Sequence, residues 1–82
     1  MRAKAELVEE LRSMLRDLFA ARSEGAVYTR LARAHGYVDG YMRALLESGM
    51  ATKEELLAVV AEERTRADGP ATAEVKADEA AA

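Results

Sequence analysis

The stretch Val27-Tyr28-Thr29-Arg30-Leu31-Ala32-Arg33-Ala34-His35-Gly36-Tyr37-Val38-Asp39-Gly40-Tyr41-Met42-Arg43-Ala44-Leu45 sets apolar residues at Val27, Leu31, Ala34, Val38, Tyr41 and Leu45. This 4-3-4-3-4 spacing follows one side of an α-helix and passes Gly36 and Gly40 without losing phase. At about 100° per residue, Tyr28, His35, Met42 and Leu46 join that side and widen the apolar arc to roughly 140°. One coiled-coil seam is narrower, so more than one neighbour must cover this helix. Gly36 and Gly40 fall opposite the arc with Arg33 and Glu47, where each costs about 1 kcal/mol of helix propensity relative to alanine. The helix either stays continuous at that cost or bends at one of the glycines.

Upstream, Leu7, Leu11, Met14 and Leu18 form a matching seam, with Val8, Leu15 and Phe19 on the same side and Arg12, Arg16 and Asp17 away from it. A first helix is expected over about residues 3–22. Ser23-Glu24-Gly25 then supplies a polar break and a glycine suited to a helix C-terminus, and so short a link favours antiparallel neighbours. The second helix is expected over about 26–48. Gly49 can close it, Met50 can fold back over its last turn, and Thr52 with Glu55 makes a capping box for a third helix over about 52–66. Leu45 to Val60 is also weakly similar to the helix-glycine-turn-helix pattern of short oligomerisation domains, although the same caps serve many unrelated helical corners. After Ala67 comes Asp68-Gly69-Pro70 and an alanine-rich acidic stretch whose one large apolar residue is Val75. The expected architecture is therefore all-α: residues 1–66 form an antiparallel helical hairpin plus a shorter third helix, as a three-helix or dimeric four-helix-type bundle. Residues 67–82 are expected to be a flexible tail.

Eighty-two residues without cysteine bound the function classes. There are no thiolate metal ligands, thiol nucleophiles or disulfide staples, and a chain this small often gains stability by associating. No run approaches the roughly 20 apolar residues of a membrane span, no signal-type apolar core follows the basic start, and the cytoplasm is the default expectation. Up to Leu46 there are eight basic and six acidic residues; from Glu47 onward there are four basic and nine acidic. That front half is too weakly basic for the usual phosphate-binding footprint.

Nothing in the pattern points to catalysis or to a cofactor. Glu9-Glu10, Glu54-Glu55 and Glu62-Glu63 are adjacent pairs that diverge on a helix and read as solvated surface. His35 and Asp39 could share a metal at four-residue spacing, but there is no second histidine, so a partly buried, hydrogen-bonded histidine is expected and no metal. Tyr28, Tyr37 and Tyr41 concentrate the aromatic residues, with Tyr37 beside Gly36 at the edge of the arc. The expected function is a non-enzymatic adaptor or oligomerisation module, either a homodimer of two hairpins or a complex with another helical protein. Its contact would use Tyr28, Leu31, His35, Val38, Tyr41, Met42 and Leu45, with Arg33 and Tyr37 at the rim.

A second reading comes from Leu31-Ala32-Arg33-Ala34-His35-Gly36-Tyr37, followed by Met42 and Leu45, which resembles the helix-turn-helix pattern of DNA-binding regulators. The resemblance covers about twenty residues. It implies a turn at Gly36, a recognition helix capped by Asp39, and DNA contacts from Arg33, Tyr41 and Arg43.

Overall fold

The apolar seams and glycine breaks produce three helices, α1 (Lys4–Ser23), α2 (Tyr28–Glu47) and α3 (Lys53–Ala81). A computed structural model describes residues 2–81 along the backbone and 2–69 with their side chains. Gly69 stands outside helical geometry at φ 64° and ψ −161°, so the packed part of α3 is 53–68. The tail expected over 67–82 begins on Ala67 and Asp68, which are still helical, and from residue 70 lies outside the described side chains.

Both corners are built the same way. Gly25 and Gly49 take φ of 76° and 74°, which an L side chain rarely adopts, and each ends a helix with paired backbone bonds. The Ala26 amide donates to the Ala21 carbonyl at 3.0 Å and Gly25 to Arg22 at 3.2 Å; Met50 donates to Leu45 at 3.0 Å and Gly49 to Leu46 at 3.1 Å. These are Schellman closures, and Met50 packs back on the core as its position requires. The capping box forms in both directions: Thr52 N–H donates to Glu55 Oε1 at 3.0 Å, and Glu55 N–H donates to Thr52 Oγ1 at 3.1 Å.

α1 is the central element. It packs on both α2 and α3, while α2 and α3 hardly touch. The core joins Leu11, Leu15 and Leu18 of α1 to Val38 and Leu45 of α2, Ala51 of the second corner, and Leu56 and Val59 of α3. Tyr41 lies half-buried against it, and its hydroxyl donates to the Leu7 carbonyl at 3.1 Å. More than one neighbour was expected to cover the broad arc of α2, but α3 spends its apolar seam on α1 and covers α2 little.

A polar clamp reinforces the α1–α3 side. Arg12 donates to Glu63 Oε2 and to Glu62 Oε2, both at 2.8 Å, and Arg16 Nε donates to Glu63 Oε1 at 3.1 Å. Arg66 stands 3.4 Å from Glu63, and Lys4 pairs with Glu55. Glu63 is 1% exposed, which corrects its reading as solvated surface. Burial pushes its carboxyl pKa up, but the hydrogen bonds from Arg12 and Arg16 outweigh this and hold it below the ordinary glutamate value.

α2 runs unbroken through Gly36 and Gly40, and a Cβ added at either glycine meets nothing within 4 Å. Gly40→Ala is therefore expected to stabilise the fold by roughly 0.5–1 kcal/mol, raising the thermal midpoint by several degrees. A lower midpoint in a circular dichroism melt would contradict the open space beside α2.

Candidate docking groove

Because α2 and α3 both pack on α1 and hardly touch each other, the molecule keeps an open trough between them. Leu15, Leu18 and Phe19 of α1 make its floor. The α2 wall carries His35, Asp39, Met42 and Leu46, and the α3 wall carries Lys53, Leu57, Val60 and Arg64. The section between these walls measures about 410 Å³. A second section shares Leu18, Phe19, His35, Asp39 and Arg64 with it and extends the trough past Leu31 and Ala32 to Tyr28 and Arg22. From Tyr28 to Leu46 the α2 wall is about 27 Å long at about 1.5 Å per residue.

The walls have a sequence logic that explains the broad apolar arc. Tyr28, Ala32, His35, Asp39, Met42 and Leu46 repeat the 4-3-4-3-4 spacing of the core seam one residue later. On α3, Leu56, Val59 and Glu63 face α1, and Leu57, Val60 and Arg64 follow them by one residue toward the trough. Each wall is therefore the second seam of a helix whose first seam is already packed. Tyr28, Leu57 and Leu46 remain 83%, 58% and 42% exposed, an apolar surface that monomeric proteins ordinarily hide or use.

Charges ring this surface. Arg64 lies over the Phe19 ring, 5.9 Å from its centroid. His35 Nδ1 and Asp39 Oδ2 are 3.2 Å apart, and Arg43 donates to Glu47 at 3.0 Å. His35 is exposed rather than partly buried, since the trough beside it is open.

The residues expected to form a contact divide three ways. Tyr28, Leu31, His35 and Met42 line the trough, and Val38 reaches its base. Val38 and Leu45 are 4% and 5% exposed inside one chain, and Tyr41 is tied to Leu7, so these positions are already covered within the chain. Arg33 and Tyr37 are exposed and lie off the trough. Leu46, Leu57, Val60 and Arg64 were not expected to act together with Phe19; the signal for these four wall residues was the second 4-3-4 register on α2 and α3.

No protein-family model matches the chain, and no curated protein or solved structure matches it. The helix-turn-helix expectation meets a direct obstacle. α2 is one helix from Tyr28 to Glu47, with no turn at Gly36 and no helix start at Asp39. Tyr41 faces the core rather than a DNA groove, and Arg43 is paired with Glu47. Among the described residues no helix is long and apolar enough to cross a membrane.

Proposed function

We propose that this protein is a small helix-docking module, a non-enzymatic interaction domain whose trough between α2 and α3 receives an amphipathic helix. The observation that carries the reading is the paired second seams: two walls of helical spacing, Tyr28 to Leu46 and Lys53 to Arg64, stand over an apolar floor with no element of this chain between them among the described residues. A helix laid there would interdigitate with both walls and complete a four-helix arrangement, in the manner of helix-in-groove recognition. The trough offers apolar contact and rim charge rather than acids, bases and nucleophiles converging on one point.

The test is chemical-shift mapping with a synthetic peptide of about 18 residues carrying leucines at 4-3-4-3 spacing. Shifts are expected to concentrate on Met42, Leu46, Leu57 and Val60. Leu46→Glu/Leu57→Glu should weaken binding by more than about tenfold, while folding stability stays within about 0.5 kcal/mol because both side chains are already exposed. Shifts confined to Arg33 and Tyr37, or no binding at all, would remove the docking role.

A further inference from the structure

We propose that the helix received by the trough is acidic: a segment of another protein with an apolar stripe flanked by glutamate and aspartate. This rests on the docking reading above and adds the chemistry of the partner.

The argument starts from which cations are already neutralised. On the outer side of α1 and α3, Lys4, Arg12, Arg16 and Arg66 all pair with glutamates. Along the trough stand the cations Lys53, Arg64 and Arg22, with Asp68 beside Arg22 and Arg64 at the far end. They are spread from one end of the trough to the other, with Lys53 near Leu57, Arg64 at Phe19, and Arg22 beyond. Arg30 and Arg33 line no part of the trough. Of the carboxylates along it, Asp39 is engaged with His35 and Asp68 stands at the Arg22–Arg64 end, so the lining cations still outnumber the anions. Arg64 adds position to charge: its Cζ stands 5.9 Å from the Phe19 ring centroid, over the apolar floor, and its guanidinium carries five N–H donors suited to a carboxylate. An apolar trough whose border carries more cations than anions favours a helix whose flanks are anionic and disfavours one whose flanks are cationic.

The other occupants fit less well. A second copy seated trough to trough would face its own cationic rim across a two-fold axis, and two concave surfaces leave the space between them unfilled. The chain's own residues 70–82 are acidic, but Val75 is their one large apolar side chain, too little to fill an apolar floor.

Three synthetic peptides of about 18 residues, with identical leucine stripes and flanks of glutamate, lysine or glutamine, test this by fluorescence anisotropy at low and physiological salt. The glutamate peptide is expected to bind at least about tenfold more tightly than the lysine peptide, with the gap narrowing as salt rises. Lys53→Glu/Arg64→Gln should abolish the preference, and Leu46→Glu should weaken all three peptides. Acid is tolerated in the first turn of α3, so the Lys53 change is not expected to unfold the chain. Equal binding of glutamate and lysine peptides overturns the acidic partner and leaves the docking reading standing; no binding by any peptide overturns both. A concentration-dependent dimer in sedimentation that Leu46→Glu dissolves assigns the trough to a second copy. Resonances of Glu74 to Glu79 that shift on peptide addition assign it to the chain's own acidic end.

Discussion

Leu11→Ala should lower folding stability by about 3 kcal/mol and lower the thermal midpoint by roughly 12–24 °C. Leu11 is fully buried, at 0% exposure, in the helix that touches both neighbours, so its truncation leaves a cavity between α1 and the elements on either side. A packed unit of this size has a total stability on the order of 3–10 kcal/mol, and the variant should be largely unfolded at the lower end of that range. Urea denaturation followed by helicity measures the loss directly. Leu57→Ala is the matched control. The residue type and deletion are the same, but Leu57 lies 58% exposed on the trough wall and should cost no more than about 0.5 kcal/mol. Equal losses at Leu11 and Leu57 would mean that the trough is closed in solution and that no docking surface stands open.

That contrast also marks what the amino-acid pattern reveals and what it hides. The seam through Val38 and Leu45, the closures at Gly25 and Gly49, and the Thr52–Glu55 box were legible because each depends on residues a few positions apart, whose geometry the helix itself dictates. Continuity through Gly36 and Gly40 was open on propensity alone. It is decided by the apolar seam, which stays in phase on both sides of the glycines. The location of α3 was not legible, because its seam fits α1 or α2 equally well by periodicity. Arg12 and Arg16 on α1, which meet Glu62 and Glu63 on α3, decide the matter, and they lie about fifty positions away along the chain. Once α3 sits on α1, the width of the α2 arc acquires its meaning: one seam faces α1 and the other is left over the trough. The candidate site was therefore half visible. Tyr28, His35 and Met42 stood out as apolar or aromatic excess, whereas Leu57, Val60 and Arg64 gain a role only from the placement of α3.

Glu63→Ala is the second large effect, and it tests that placement. The carboxylate is buried, and truncation leaves Arg12 and Arg16 facing each other and Arg66 without their shared counter-charge. Removing one member of a buried pair costs roughly 3–5 kcal/mol; here Arg12 and Arg16 keep contact with water, so a loss of about 2 kcal/mol is expected. Glu62→Ala, on an exposed neighbour that also pairs with Arg12, should cost under about 1 kcal/mol. Acid should reproduce part of the Glu63 effect. A carboxyl held below its ordinary value stabilises the fold above the unfolded-state pKa of about 4.3 and loses that contribution as pH falls through the lower folded-state value. Glu55, lowered by Lys4 and by the Thr52 amide, adds to the same acid-side decline. Denaturation series between pH 7 and pH 3 should show stability falling below about pH 4.3, with a shallower fall in Glu63→Gln because the titrating group is gone. If wild type and Glu63→Gln decline in parallel, Glu63 is not the ionised centre of the clamp. The cohesion between α1 and α3 would then rest on the Leu11, Leu56 and Val59 packing alone.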